Sequence, residues 1–149
     1  ILGCAAQQER QAMTHRYAVQ VHYEDTDMGG IVYHANFLKF IERARSAWVR
    51  DLGLDQNAMR EAGTVFVVRR VEADFLAPAR LDDALGIETR TLRATGARLE
   101  MAQSVWRGED LLFRAVVTVA CLSRAGRPVR LPAAILGQPQ DQVAPATRK

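Results

Sequence analysis

The chemically richest part of the 149-residue chain is the segment 23–37, which combines acids, paired glycines, a histidine and a predicted helix start. Its Asp27 carboxylate could serve as a base or a nucleophile, because an ionised carboxylate can take a proton from water or attack a carbonyl carbon. Gly29 and Gly30 predict a tight turn just after this acid, since glycine adopts positive φ readily. With His34 at the helix start, the segment predicts acid–base or nucleophilic chemistry.

Metal binding explains the same segment poorly. Its two aspartates have the first spacing of an EF-hand loop, but the fifth and twelfth loop positions would then be Gly29 and Asn36. His22 and His34 are twelve residues apart and match no strong zinc-ligand pattern. The chain also contains no GxSxG, P-loop or GxGxxG motif. The carboxylate chemistry is therefore the hypothesis to pursue.

Each candidate residue also has a purely structural explanation. An isolated Asp27 would more often close an Asx turn than catalyse a reaction. His34 could simply occupy a helix end, and Tyr33 could serve packing alone. Glu42 could be a solvated charge paired with a basic neighbour on the helix. Only the combination of these residues in one pattern favours the chemical interpretation.

The element that follows the loop is predicted as one long amphipathic helix. Asn36 is the predicted N-cap, and Gly53 marks the end. Apolar residues recur between them at helical spacing: Phe37, Phe40, Ile41, Ala44, Trp48 and Leu52. This apolar stripe needs a flat partner, which predicts a curved sheet beneath the helix.

The remaining chain is predicted to be mostly β-structure, apart from a helical or irregular piece at 56–62. Alternating or β-rich stretches predict five strands: Arg16–Tyr23, Thr64–Phe75, Leu85–Leu92, Arg98–Trp106 and Leu111–Leu122. Short glycine-containing links between the later strands indicate antiparallel hairpins. The fold class is therefore α+β, with an antiparallel five-stranded sheet wrapped around one long central helix.

Composition and length predict a single domain at 13–137. The start, 1–12, is expected to be disordered or an expression scar, and the proline-bearing tail 138–149 is expected to be disordered.

A net charge of +3 with scattered basic residues gives no reason to expect nucleic acid, and no apolar run is long enough to span a membrane. Cys4 and Cys121 lack a CxxC or metal-ligand context, which indicates reduced thiols and a cytoplasmic location.

Five segments together resemble one known family. They resemble the 4-hydroxybenzoyl-CoA thioesterases of the hotdog fold, and within them the acyl-CoA thioesterases associated with the Tol-Pal system. The resemblance covers about 17–136, departs in minor ways at Met28 and 36–37, and rests on residues 23–27, 29–34, 40–45, 66–69 and 77–83.

The resemblance implies an enzyme that hydrolyses acyl-CoA or acyl-carrier-protein thioesters. Asp27 would be its nucleophile or general base, and His34 the second catalytic residue. Backbone N–H groups at the helix start around His34 would stabilise the oxyanion. Tyr33, Gly30 and Glu42 would contact the substrate, Glu42 also being a reserve candidate for the essential acid.

The resemblance further implies a homodimer or homotetramer with active sites between subunits, and no metal or redox cofactor. Acyl carrier protein and the Tol-Pal machinery are partners suggested by family context alone. Two alternatives stay open on the sequence. One is a hotdog enoyl-thioester hydratase, and the other is a non-catalytic acyl-thioester binding module.

Overall fold

In the computed structural model, which describes residues 14–141, the five strands pair into one antiparallel sheet. The strands are β1 (His15–Gln20), β2 (Thr64–Phe75), β3 (Ala84–Thr95), β4 (Arg98–Arg107) and β5 (Asp110–Ser123). Their order in the sheet is β1-β3-β4-β5-β2, so β3, β4 and β5 form consecutive hairpins while β2 pairs with β5. Gly96 (φ 57°) and Gly108 (φ 59°) occupy left-handed positions in the two hairpin turns.

Three helices complete the described chain: α1 (His34–Asp51), α2 (Gln56–Glu61) and α3 (Ala133–Leu136). The long helix α1 buries its predicted apolar stripe, with Phe40, Ile41 and Ala44 at most 1% exposed. Its main strand contacts are with β3, β1 and β4. The predicted α+β arrangement, a five-stranded antiparallel sheet around one long helix, is confirmed.

The core forms where helix-facing strand residues meet α1. The register pairs Ile87 with Val105 and Met101 with Val117, and none of these four is more than 1% exposed. Gln103 lies among them and is 2% exposed, yet its amide is fully used as a polar cross-link. It donates to the Ile41 carbonyl and the Thr89 hydroxyl and accepts from Arg45, as required of a buried amide.

Three predicted boundaries were wrong, one of them the end of β3, which continues to Thr95 and does not end at Leu92. The first strand ends at Gln20, and Tyr23 belongs instead to a short 3-10 turn, Tyr23–Asp25. Helix α1 begins at His34 rather than after Asn36, because the Asn36 side chain donates 2.8 Å to the Asp25 carbonyl and does not cap the helix. The predicted end is correct: Gly53 has φ 83° just beyond the helix.

The chain beyond α3 continues to pack on β3. The Gln140 side chain donates to the Ala94 carbonyl and the Asp141 backbone N–H to the Thr91 carbonyl. Gln140 and Asp141 of the expected disordered tail thus contact the sheet. The expected disordered start 1–12 and the rest of the tail, 142–149, lie outside the described residues. Between residues 14 and 141, no helix is both long and apolar enough to cross a membrane.

Candidate active site

A tight turn at the start of the chemical segment presents Asp27 to solvent. The Asp27 N–H donates to the Ile31 carbonyl and the Gly30 N–H to the Asp27 carbonyl, each at 3.0 Å, while Gly30 takes φ 74°. The Asp27 Oδ1 accepts 2.8 Å from the Gly29 N–H. A Cβ on Gly29 would lie only 3.1 Å from that oxygen, so this position favours glycine. The turn therefore holds one carboxylate oxygen and leaves the other without a hydrogen-bond donor among residues 14–141.

The neighbouring acid, Asp25, has a structural role. It is 7% exposed, and its Oδ2 accepts 2.8 Å from the His22 N–H. Its carbonyl accepts from the Tyr33 N–H at 3.0 Å and from the Asn36 amide at 2.8 Å. These bonds tie the loop to the beginning of α1. Of the two aspartates in the segment, only Asp27 is exposed to solvent.

A second support for the loop comes from the segment before β3. The Val32 N–H donates 2.8 Å to the Ala79 carbonyl. Asp83 Oδ2 accepts 2.8 Å from the Arg80 N–H and 2.9 Å from Arg107 Nη1. The pKa of the Asp83 carboxyl is lowered, chiefly by the hydrogen bond from the Arg80 N–H. Burial opposes this effect as the second-largest cause, and Arg107 lowers the pKa further. We call this group of Asp83, Arg80 and Arg107 the Asp83 brace. Sequence reasoning did not identify it, although residues 77–83 are one of the segments on which the family resemblance rests.

The start of α1 offers unbonded donors beside the loop. Within residues 14–141, the backbone N–H groups of His34 and Ala35 find no acceptor. The Tyr33 N–H is occupied by Asp25 and the Asn36 N–H by the Tyr33 carbonyl. Free N–H groups at the positive end of a helix dipole are suited to an anionic oxygen. The two available donors thus belong to His34 and Ala35.

Two aromatic rings contact the ring of His34. Its ring meets Tyr33 edge-on at 4.7 Å between centroids, and Phe75 at 5.8 Å. Phe75, at the end of β2, is 51% exposed and also contacts Phe37 and Phe113. No hydrogen bond joins the exposed His34 ring to Asp27 or to any other residue in the described chain. Sequence reasoning did not identify Phe75 as a neighbour of the His34 ring. Its place at the end of a predicted strand was the only signal.

Glu42 stands apart from this group. It lies two helical turns from His34, about 12 Å along the axis of α1, and its side chain is exposed. There it borders a separate cavity of about 150 Å³ between α1 and the sheet. The turn therefore brings Asp27, Gly29 and Gly30 together, and Tyr33 and His34 lie at the adjoining helix start. Glu42 is not part of this group and borders the cavity instead.

Other sequence predictions concern metals and thiols. Across residues 14–141, no three His, Cys, Asp or Glu side chains lie together as a metal-binding group. Cys121 is a fully buried free thiol, and burial raises its pKa, which keeps it neutral and unreactive. Cys4 lies outside the described residues.

Comparison with known proteins identifies relatives over most of the chain. Residues 29–113 match the family model of the thioesterase superfamily. The chain is 40% identical over 125 residues to the acyl-CoA thioester hydrolase YbgC of Escherichia coli, covering 83% of this chain and 93% of that protein. It is also 40% identical over 118 residues to acyl-CoA thioesterase YbgC of Haemophilus influenzae, covering 78% and 87% of the two chains.

Solved structures agree with this relationship. A probable thioesterase from Bartonella henselae is 41% identical, has a TM-score of 0.77, and is matched over 80% of this chain and 99% of its own. The helix-wrapping sheet of this chain is the hotdog arrangement of these thioesterases. The resemblance inferred from the sequence is thus confirmed, and the chain is an enzyme that belongs to the thioesterase superfamily.

Proposed function

We propose that this protein hydrolyses acyl-CoA thioesters, with Asp27 as the reacting carboxylate and the helix start as the oxyanion site. The observation that carries the proposal is the pairing of an exposed, oriented carboxylate with two unbonded N–H groups, those of His34 and Ala35. The names of the two YbgC relatives support the substrate class. Thioesters of acyl carrier protein are the second class to assay.

Because Gly29 holds Oδ1 of Asp27, the reaction is assigned to Oδ2. In one path Oδ2 attacks the thioester carbonyl, the C–S bond breaks, the thiolate leaves, and water then cleaves the resulting anhydride. In the other path Oδ2 takes a proton from a water molecule that attacks the carbonyl itself; the C–S bond then breaks, and the leaving thiolate takes up the proton. Both paths create an oxyanion that the His34 and Ala35 N–H groups would stabilise.

The two paths differ in whether the enzyme is acylated. A rapid-quench experiment with excess enzyme, followed by intact-mass measurement, separates them. Nucleophilic attack predicts a transient mass increase equal to the acyl group, lost in the Asp27→Asn variant. General-base catalysis predicts free acid without any acylated protein at every quench time.

Around this carboxylate, the other predicted residues receive positioning roles in our proposal. Gly30 allows the backbone to turn through φ 74° beside the substrate. Tyr33, which is 47% exposed, and the His34 ring would form one wall next to the scissile carbonyl. Glu42 would contact a more distant part of the substrate, because it lies about 12 Å farther along α1.

We also propose that two copies pair through β2. This strand is hydrogen-bonded to β5 on one side only and therefore has a free edge. Val65 and Val67 along it are 36% and 38% exposed. Pairing two β2 strands would bury them and bring two candidate sites to one interface, and two such dimers would give a tetramer. Sedimentation equilibrium tests this, and a single-chain mass at micromolar concentration would contradict it.

The central test is thiol release from saturated acyl-CoAs by the native protein and Asp27→Asn, with Asp110→Asn as the matched control. Asp110 is an exposed acid at the β4–β5 turn and should not affect the rate. Loss of the reacting carboxylate is expected to lower kcat by about 10²- to 10⁴-fold. Hydration of an enoyl-CoA without thiol release would favour the hydratase, and binding without turnover would favour the binding module.

A further inference from the structure

A cavity of about 150 Å³ lies between the second half of α1 and the sheet, away from the Asp27 loop. Its floor is a row of cross-strand partners, in which Val119 pairs with both Val68 and Leu99. Trp48 and Val49 of α1 cover this floor. The cavity is lined mainly by apolar side chains, and an apolar cavity of about this size can hold a group of about six carbons, such as a benzene ring.

One helix face leads from the candidate active site to this cavity. His34, Leu38 and Glu42 are spaced four residues apart and therefore lie above one another on α1. Leu38 is 40% exposed, and Glu42 is at the border of the cavity. The opposite wall is the helix-facing side of β2. Its Phe75 touches the His34 ring, and Val71 and Val68 are 38% and 45% exposed.

The space between this face of α1 and the helix-facing side of β2 is a groove. Its length sets the size of a ligand that could occupy it. His34 and Glu42 are about 12 Å apart along the helix axis. An extended polypeptide advances at most ~3.3–3.6 Å for every three backbone bonds. An extended hydrocarbon chain of similar reach per bond therefore needs about ten bonds to cross the ~12 Å between His34 and Glu42. A short acyl group held at the helix start would not reach the cavity, whereas a chain of more than about ten carbons would enter it.

Ile135 of α3 also lines the cavity, and we assign it to the end away from the Asp27 loop. The segment before it bonds to Gly96 in the β3–β4 turn, at the opposite end of the sheet from Phe75. Ile135 is fully buried and lines the cavity, while its neighbour Leu136 does not line it. The turn that carries Ile135 is attached to the sheet, because the Leu131 N–H donates 2.8 Å to the Gly96 carbonyl. The end wall is therefore held by the fold and is not a loose side chain.

Polar groups are kept to the helix side of the cavity. Arg45 is part of its lining, and its Nη1 donates 2.9 Å to the Oε1 of buried Gln103. Burial lowers the pKa of Arg45, and nearby Glu42 opposes that effect. Since the floor and end wall carry only apolar side chains, the cavity suits a hydrocarbon end better than a charged one.

We propose that this cavity binds the distal end of a long unbranched acyl chain and that Ile135 sets the longest chain accepted. The inference rests on the proposed thioesterase function and specifies its substrate class as acyl thioesters of about ten to sixteen carbons. It makes Ile135 a specificity-determining residue far from the reacting atoms.

The first test compares kcat/KM for saturated acyl-CoAs of increasing length in the native protein, Ile135→Ala and Leu136→Ala. Ile135→Ala removes three carbons from the end wall. It should raise the ratio of kcat/KM for an eighteen-carbon over a twelve-carbon chain by up to about 50-fold, since three additional buried methylenes contribute ~0.8 kcal/mol each. Leu136→Ala should keep the native profile. An unchanged profile in Ile135→Ala would contradict the role of this residue.

A second measurement covers the case in which Ile135→Ala does not fold. The chain has two tryptophans, and Trp48 lines the cavity whereas Trp106 does not. In a Trp106→Phe background, non-hydrolysable S-alkyl-CoA thioethers of twelve to sixteen carbons should change Trp48 fluorescence, and the butyl thioether should leave it unchanged. Equal responses to both, or no response, would overturn the proposal.

The two proposals can fail separately. If no acyl-CoA is hydrolysed but long thioethers alter Trp48 fluorescence, the catalytic proposal is wrong and the cavity assignment stands. The cavity assignment alone is wrong if acyl-CoAs are hydrolysed but two results fail: Trp48 fluorescence responds equally to short and long thioethers, and Ile135→Ala keeps the native chain-length profile.

Discussion

Replacing Gly29 by alanine tests whether the exact position of the Asp27 carboxylate controls the rate. The added Cβ would lie 3.1 Å from Asp27 Oδ1, about 0.3 Å closer than ordinary contacts. The Gly29 N–H that orients this oxygen is retained, so the expected change is a small displacement of the carboxylate and not the loss of its hydrogen bond.

The size of the effect follows from that displacement. A misplacement of about 1 Å at a reacting group can cost about 10²-fold in rate. A shift of about 0.3 Å therefore predicts a decrease in kcat of about fourfold, and at most about tenfold. Stability should change by less than about 1 kcal/mol, because Gly29, unlike Gly30, does not require positive φ.

The assay measures thiol release at saturating acyl-CoA together with thermal unfolding. Gly53→Ala is the control, since Gly53 has φ 83° at the other end of α1 and alanine there should cost about 1–2 kcal/mol of stability without changing kcat. Native kcat in Gly29→Ala would refute the reasoning. An equal kcat loss in Gly53→Ala would attribute the effect to stability instead of geometry.

Three further predictions concern the supports of the site and core. Asn36→Ala should lower the free energy of unfolding by about 1–2 kcal/mol in urea, because the Asp25 carbonyl loses a buried donor. Asp83→Asn should lower Tm at neutral pH, and this difference should begin to shrink below about pH 4 and disappear only once the pH is below the depressed folded-state pKa of Asp83. The folded-state pKa of Asp83 is depressed, so its contribution is present above the ordinary aspartate pKa of about 3.9 and is lost as pH falls through the folded value. Gln103→Leu should cost about 3 kcal/mol or more in urea, since Arg45 and Thr89 lose a buried partner, whereas Gln20→Leu at the exposed end of β1 should be nearly neutral.

Local patterns predicted most of the elements because each depends on nearby residues. The stripe from Phe37 to Leu52 is periodic over the whole helix, and the β2 bounds were predicted exactly as the structure has them, 64–75. The start of α1 was mispredicted for a non-local reason. Asn36 has the chemistry of an N-cap, but the Asp25 carbonyl, eleven residues earlier, takes its side chain.

Long-range pairing could not be predicted from such patterns. Strand β2 pairs with β5, whose Val119 lies opposite Val68 although about fifty residues separate them in sequence. The Asp83 brace depends in the same way on Arg107 from another strand. Contacts of this kind depend on how the elements pack, which periodicity alone does not specify.

The amino-acid sequence by itself determined the family, the α+β class and the segment in which to look for chemistry, since these follow from residue types and spacing within continuous stretches. Tertiary structure alone distinguished buried Asp25 from exposed Asp27, because burial depends on which distant groups surround each carboxylate. It also decided that the unbonded donors belong to His34 and Ala35, and that Ile135 and Trp48 line one cavity. Those facts depend on three-dimensional packing between segments that are far apart in the chain.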